Sequence, residues 1–587
     1  LEKGPGESQC PGPLLYKPLR FIDPAKMDTT SDKLFCCRWL RNKLPLVHRD
    51  ELYHIVRMTG PLLLSRILMY LLPFVVTMFC GRLGNSVMAG YGLASAAINV
   101  STAATGCGLG LACDTLISQT FGGKNLLRVG GILQRGIIIL LLFCLPCWAL
   151  LINAQAILLC MGQDPEVCTL VYPVFSFQAM FLHKLQVSYL QNQGIILPQF
   201  YTAVLANIAN VLTNYVFLHW LNLGVSGSAA ANTLSQIYIC IFLFAYIRWK
   251  KLHEATWGGW SADSLQEWGS YMRLAIPSAL MKCFEWWIYE FGGFFAGMLG
   301  EDELAAQHAV LMIAFITYMF PNGIQAAVCA RVGNALGAGD TARAILTSKL
   351  SLVLAGALGV VQGIVLGTSK TVLGFLFTSD EKIIELVSNL MNAYCFLQFF
   401  DGLVCVCTGI FLGTGKQKIP AVANFIGYYC IGLTLSVVFM FVVKLKVLGF
   451  WLGLLVCVVL QSIFYIVVVF KLNWKAGLCR WALRLMCDVK HYVLFLKWVD
   501  DHRLHERSTG TNGGPADQHH RGGRLTTTQL VVRRGILIFA AVCLLAVGVG
   551  VRLLVPLPVT SSKHNSTLDL FNTTQTPVLL TPTVLAQ

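Results

Sequence analysis

The segment "ISQTFGGKN" at residues 117–125 has a counterpart in "VGNALGAGD" at residues 332–340, and this pairing decides the fold. Two more pairs repeat the relation: "QNQGIILPQFYTAVLANIAN" (191–210) with "GTGKQKIPAVANFIGYYCIG" (413–432), and "LG" (223–224) with "LG" (448–449). All three pairs are offset by about 215 to 225 residues, a period that indicates an internal duplication. The chain therefore contains two copies of one structural unit.

Composition indicates that this unit lies in a membrane. The chain is 56% hydrophobic and 12% charged, with a mean hydropathy of +0.64. From about residue 58, twelve apolar runs of roughly 20 residues follow one another, and each is long enough to cross a bilayer as a helix. A thirteenth run, "GILIFAAVCLLAVGVGVRLLV", follows the polar segment 473–534. The net charge of +15 lies mainly in loops and near the termini, which argues against a nucleic-acid partner.

The duplication predicts the arrangement of these spans. Since six spans form each copy, both copies enter the membrane in the same sense, and they enclose a cleft around an axis along the membrane normal. We predict an all-α membrane protein of two pseudo-symmetric six-helix bundles plus a thirteenth helix. The predicted divisions are a cytoplasmic segment (1–50), the N-lobe (51–250), the C-lobe (251–475), a cytoplasmic linker that is partly amphipathic and then disordered (476–534), the thirteenth span (535–556) and an extracellular tail (557–587).

Charge predicts the orientation. Loops after even-numbered spans carry most of the lysine and arginine, as in "RWKKLHEATWGGW", whereas several loops after odd-numbered spans are acidic or mixed. The exception is "VVKLKVLG" after span 11. The N-terminus is therefore predicted inside and the C-terminus outside, where Asn565 and Asn572 lie in glycosylation sequons. We expect a multi-pass protein of the plasma membrane.

Three acidic residues inside apolar runs are candidate functional residues. Glu285 and Glu290 lie in "CFEWWIYEFGGFFAG" on span 7, and Asp401 lies on span 10. A carboxylate in hydrocarbon is costly, so such residues usually face a cavity or a partner. Burial disfavours the charged form, whereas a nearby cation favours it. These acids are therefore predicted to bind either a proton or an organic cation, and that competition is antiport.

Aromatic residues beside the acids suit a cationic substrate. Trp286, Trp287 and Tyr289 offer ring faces for cation–π contact. An alternative for Glu285 is a purely structural ion pair with Lys282, three residues earlier on the same helix.

Three basic residues also fall inside apolar runs. They are Arg66 on span 1, Lys184 on span 4 and Lys282 on span 7. If they face the cleft, fixed positive charge discourages cations and favours zwitterions or anions.

The motifs together resemble the multidrug and toxin extrusion (MATE) family, in its vertebrate branch. They are "ACDTLISQTFGGKN", "YLQNQGIILPQ", "KLHEATWGGWS", "RLAIPSALM", "FEWWIYE" and "RVGNALGAGD", and the similarity runs from about residue 50 to 475. The resemblance implies a proton-coupled exporter of organic cations whose two lobes rock between inward-open and outward-open states. It also implies functional acids at Glu285, Glu290 and Asp401, and a further glutamate at a position that is Met312 here. Arg66 stands where that family is expected to have glutamine.

We therefore predict an antiporter that exchanges protons for cytoplasmic organic cations, and not an enzyme. The expected coupling ion is the proton, without any cofactor or metal, and the expected partners are small organic cations and membrane lipids around a monomer. An exporter of organic anions or zwitterions, or a flippase for lipid-linked glycans, is the alternative on the same fold.

Overall fold

The structure is a computed structural model, and it describes residues 45–83, 99–156, 176–221, 223–377, 380–472, 474 and 527–554. The described residues are almost entirely helical, and they contain no β-strand. The predicted linker up to residue 526 lies outside the described residues. So does the tail with the predicted sequons at Asn565 and Asn572.

The helices follow the predicted spans. Those of the first half are α1 (Leu46–Leu83), α2 (Ala104–Gly122), α3 (Leu126–Ile152), α4 (Ser176–Gln191), α5 (Leu197–Tyr215) and α6 (Gly224–Trp249). Those of the second half are α7 (Trp268–Leu299), α8 (Glu301–Gly337), α9 (Thr341–Leu373), α10 (Glu381–Thr414), α11 (Lys418–Val442) and α12 (Lys446–Phe470). A last described helix, α13, covers Thr527–Leu554. π-Helical turns precede α2 at Asn99–Ala103, extend α5 at Val216–Trp220 and interrupt α11.

The internal repeat is visible in the turns between helices. Asn125 caps the start of α3 by accepting from the backbone N–H of Arg128, and Asp340 caps α9 in the same way from Arg343. These caps are the last residues of the two segments whose similarity predicted the duplication. An Asn or Asp side chain satisfies a free N–H at a helix start. The repeated motif is therefore a repeated helix–turn–helix junction.

Each half has its own core, and α7 contributes to both. Its first part, including Trp268 and Ala279, packs in the core formed with α2, α3, α4 and α6. Its later part, including Ile288 and Ala296, packs in the core formed by α8 to α12. The division predicted between residues 250 and 251 lies before α7 in the chain, but α7 packs with helices on both sides of it.

The first helix of the other half crosses in the same manner. Leu62 on α1 packs against Ala326 and Ala327 on α8. The backbone of α1 at Leu63 lies close to Gly323 on α8. The first helix of each half therefore packs partly against the opposite half.

Within the described residues, eleven helices are long and apolar enough to cross a membrane. The helices α4 and α7 are not among them. Only 16 residues of α4 are helical in the described part, and α7 carries four charged residues, Arg273, Lys282, Glu285 and Glu290. Apolar helices in this number establish a multi-pass membrane protein. Thirteen spans remain a prediction.

Two helices begin earlier than the sequence predicted. The helix α1 starts at Leu46 rather than near residue 58, because Glu51 in its polar first turns pairs with Arg331 on α8. The described part of α13 is already helical at Thr527, before the span start predicted at 535. Its Arg534 donates to the carbonyl of Leu265 and lies over the ring of Trp268.

Candidate functional site

The two halves meet at one end of the bundle through the duplicated motifs. A Cβ on Gly333 would lie 2.0 Å from Ser118 Oγ, and one on Gly337 would lie 2.0 Å from the carbonyl oxygen of Gln119. The side-chain amide of Gln119 also donates to the carbonyl of Gly413 at 2.9 Å. We call this contact between 115–123, 329–337 and 412–417 the closed end.

Glu285 lies on α7 within a set of three polar side chains. The Nζ of Lys282 donates to both carboxylate oxygens of Glu285 at 2.9 Å, and the hydroxyl of Tyr318 on α8 donates to one of them at 2.8 Å. The side chains of Lys282 and Glu285 are 11% and 14% exposed. The positive charge for Glu285 is therefore supplied within the protein. This is the structural ion pair that the sequence left open as an alternative.

Asp401 lies near this ion pair, on α10. Its carboxylate interacts electrostatically with both Glu285 and Lys282. To the residues that the structure describes, however, it makes neither a hydrogen bond nor an ion pair within 4.0 Å. Tyr289, one helical turn after Glu285, also lies within electrostatic range of Asp401. The structure therefore brings Glu285 and Asp401 together, and of these two acids only Glu285 has a described basic group within 4.0 Å.

Glu290 has a different partner. Its carboxylate lies near the side chain of Asn99, in the π-helical turn before α2. The indole nitrogen of Trp287 is buried and has no hydrogen-bond partner, and Trp286 is half-buried. Within the described chain, no lysine or arginine lies over the ring of Trp286 or Trp287. Glu290 therefore bridges the two halves, away from the Glu285–Lys282 pair.

The basic residues of the first half surround a second acid, Asp114. Lys184 Nζ lies 3.8 Å from one oxygen of Asp114, and the other oxygen accepts from Ser188 at 2.6 Å and Asn192 at 2.7 Å. Arg66 donates a long hydrogen bond of 3.5 Å to Gln191. The motif residue Asp114 is therefore a buried hydrogen-bonding centre between α2 and α4.

Met312 occupies the position on α8 where the resemblance implied a glutamate. The hydroxyl of Tyr70 on α1 lies 3.2 Å from its sulfur, so the two halves touch here through a weak polar contact. The thioether is a weak acceptor without charge. This position therefore contributes no carboxylate.

Sequence reasoning missed several residues of the site. Tyr318, Asn99 and Cys107 are uncharged, so the search for intramembrane charge did not select them. Cys107 on α2 lies within electrostatic range of Arg66, Lys184 and Lys282. Only helix packing reveals which uncharged side chains face the charged ones.

The described residues contain no cluster of three or more histidine, cysteine, aspartate or glutamate side chains suited to a metal ion.

Comparison with known proteins matches this architecture. A family model described as MatE matches twice, at residues 61–216 and 277–438, which is the duplication inferred from the motifs. The multidrug and toxin extrusion protein 1 of Danio rerio is 45% identical over 555 residues, covering 89% of this chain and 94% of the relative. That of Mus musculus is 42% identical over 557 residues, covering 90% and 97%.

A solved structure has the same fold. The crystal structure of the eukaryotic MATE transporter AtDTX14 has a TM-score of 0.72 and 25% sequence identity, and it covers 75% of this chain and 99% of its own. The predicted fold of two six-helix bundles is confirmed. The chain belongs to the multidrug and toxin extrusion family, and it is a multi-pass membrane transporter rather than an enzyme.

Proposed function

We propose that this chain is a proton-coupled antiporter that exports organic cations across the plasma membrane by alternating access. The relatives it matches are named for multidrug and toxin extrusion, which supports drugs and toxins as its substrate range. The coupling ion is the proton, and the transporter works as a monomer in contact with membrane lipids.

The main support for this proposal is that the Asp401 carboxylate has no paired partner among the described residues. Glu285 has Lys282 and Tyr318 as partners, whereas Asp401 is without a hydrogen-bonded or ion-paired partner among the described residues. An ionised carboxylate without a counter-ion is costly in a membrane interior. A proton or an organic cation removes that cost, and one carboxylate accepts one of them at a time. Because Asp401 binds either a proton or a cation but not both, the flux of protons is coupled to the flux of cations.

The closed end gives this exchange a direction. With the N-terminus inside, as the loop charges predict, the closed end faces the cytoplasm. In this proposal, Asp401 opens towards the outside while the closed end is together, and a proton there replaces the exported cation. Opening of the closed end returns the protonated site to the cytoplasm.

Gradient-driven uptake of radiolabelled tetraethylammonium into proteoliposomes tests the proposal. With an acidic interior, wild-type protein is expected to accumulate the cation. Asp401→Asn removes the titratable group, and we expect at least about a tenfold loss, because interactions with a charged group contribute about 1.5–3 kcal/mol. Asp401→Glu is expected to restore part of the uptake.

Glu385→Gln is the matched control, because Glu385 is an exposed acid on the same helix. It is expected to transport like the wild type. Full gradient-driven uptake by Asp401→Asn would contradict the proposal. Anion uptake by the wild type, with no cation uptake, would favour the alternative of an organic-anion exporter or a glycan flippase.

A further inference from the structure

The three basic residues of the central region differ in how fully they are neutralised. Lys282 contacts both oxygens of Glu285 at 2.9 Å. Lys184 lies 3.8 Å from Asp114, which is an ion pair but longer than a hydrogen bond. Arg66 has no carboxylate within 4.0 Å in the described part of the chain. Asp114 lies within electrostatic range of both Arg66 and Lys184, so two positive charges on the first half share one negative charge.

Both side chains also have unused hydrogen-bond donors. The Nε of Arg66 is buried without a partner, and its contact with Gln191 is long, at 3.5 Å. Lys184 donates no hydrogen bond to a described residue. Asp114 does not satisfy them: one of its oxygens accepts from Ser188 and Asn192, and the other lies 3.8 Å from Lys184 Nζ, beyond hydrogen-bond distance. A guanidinium has five donors in a planar fork that fits a carboxylate.

These donors lie near the proposed cation site. The thiol of Cys107 is within electrostatic range of Arg66, Lys184 and Lys282. Arg66 interacts in the same way with Cys405 on α10, and Cys405 follows Asp401 by one helical turn, about 6 Å along the helix. Arg66 and Asp401 therefore both lie within electrostatic range of one residue, Cys405.

We propose that Arg66 and Lys184 form a binding subsite for a carboxylate, and that this transporter carries zwitterions whose cationic group binds at Asp401. The cationic half of this inference rests on the proposed function, and the anionic half rests on the first-half residues. An unpaired arginine inside a membrane protein is costly, and a substrate carboxylate offsets that cost. Zwitterions with both groups in reach then bind better than cations of the same shape.

Two pairs of probes of matched shape test the subsite. The first pair is 1-methylpyridinium-3-carboxylate and its carboxamide, and the second, longer pair is 4-(trimethylammonio)butanoate and its amide. The nitrogen of each probe carries a permanent positive charge, so the members of a pair differ only in the carboxylate. Binding to purified protein in nanodiscs is measured by calorimetry, and gradient-driven uptake is measured in proteoliposomes.

We expect Arg66→Gln to weaken binding of at least one carboxylate probe by about tenfold or more, while its amide changes by less than about twofold. Arg66→Lys, which keeps the charge but not the planar fork, is expected to lie between them. Lys184→Gln is expected to change the same ratio in the same direction. Lys349→Gln, an exposed lysine on α9, is the control and is expected to bind like the wild type.

A carboxylate-to-amide binding ratio that is unchanged in both Arg66→Gln and Lys184→Gln, for both pairs, overturns the subsite. So does wild-type protein that binds both amides at least about tenfold more tightly than their carboxylates. Failure of the proposed function gives a different result: wild-type protein then moves neither amide cation under a proton gradient, whereas the binding ratio still reports on Arg66 and Lys184.

Discussion

Lys282 makes two acids of one helical bundle different, because it forms an ion pair with Glu285 and not with Asp401. Glu285 is held between an ammonium group and the Tyr318 hydroxyl, so its charge is already balanced. Asp401 lies within electrostatic range of both members of that pair, but it forms no hydrogen bond or ion pair with either of them. A buried ion pair fixes geometry more than it adds stability. We infer that Glu285 and Lys282 orient the site, while Asp401 exchanges its ligand.

At Met312, a single substitution is expected to add a second exchangeable acid. Met312→Glu places a carboxylate beside the Tyr70 hydroxyl, which lies 3.2 Å from the present sulfur and can donate to it. We expect a lower half-saturation concentration for tetraethylammonium in proteoliposome uptake, by about threefold to tenfold, because a fixed anion attracts the cation at short range.

Met312→Gln is the matched control, since it introduces a polar side chain of the same size as glutamate without charge. Equal effects of the two substitutions would show that polarity at this position, rather than charge, controls substrate affinity. No change in either would place Met312 outside the cation path.

Close backbone contact explains the glycines in the duplicated helix ends. Gly122 lies against the carbonyl of Asn334, as a Cβ there would come within 2.1 Å of that oxygen. Gly333 and Gly337 make the reciprocal contacts with Ser118 and Gln119. Small residues allow helices to approach this closely in membranes. The motifs are therefore complementary surfaces, and each half carries one.

Gly337→Ala is expected to open the closed end. A helical Gly→Ala change normally stabilises by about 0.5–1 kcal/mol, but here the methyl group would meet the Gln119 carbonyl at 2.0 Å. We expect a lower thermal midpoint and faster hydrogen–deuterium exchange in peptides covering 112–125. Gly356→Ala on α9 is the control, because nothing lies within 4 Å of its added Cβ. Unchanged exchange in Gly337→Ala would show that the helix ends separate without cost.

At the scale of the whole molecule, two ion pairs connect the two halves, and the duplication relates one pair to the other. Glu51 at the start of α1 contacts Arg343 at the start of α9 at 3.1 Å, and Glu267 before α7 contacts Arg128 at the start of α3 at 3.5 Å. The two glutamates are offset from each other by about 215 residues, and so are the two arginines. The first helix of each half is therefore linked to the third helix of the opposite half: α1 to α9 and α7 to α3. Both links lie next to the closed end.

The two ion pairs differ in burial. The side chain of Glu51 is 3% exposed, and it also accepts from Arg331 and Thr347, each at 2.6 Å. The side chain of Glu267 is 42% exposed, and it also pairs at 3.4 Å with Arg135, whose side chain is 8% exposed. Breaking a buried pair costs about 3–5 kcal/mol, whereas an exposed pair contributes about 0–1 kcal/mol. The Glu51 network is therefore the stronger of the two ties.

Glu51→Gln is expected to release the closed end, and Glu267→Gln is expected to leave it nearly intact. The measurement is hydrogen–deuterium exchange in peptides covering 329–340, together with tetraethylammonium transport. We expect faster exchange and altered transport in Glu51→Gln only. Glu254→Gln, which removes the exposed i,i+3 pair with Lys251, controls for loss of a negative charge. Equal responses to Glu51→Gln and Glu267→Gln would show that burial does not set the strength of these ties.

The sequence by itself determined the membrane setting, the duplication and the helix order. Apolar runs, glycine-rich turns and helix caps act within one span or one turn, so each is readable from neighbouring residues. The same local reasoning selected Glu285, Glu290 and Asp401, because charge in an apolar run is conspicuous. It also identified Lys282 as a possible partner of Glu285, since side chains three residues apart share a helix face.

Tertiary structure alone decided which charges compensate one another across helices. Asp114 faces Lys184, Glu290 faces Asn99, and Glu51 crosses to Arg331, although each pair is far apart in the sequence. Arg66 and Asp401 became distinctive only through what they lack among the described residues. Electrostatic partnership depends on distance through space, and helix packing, rather than sequence spacing, sets that distance.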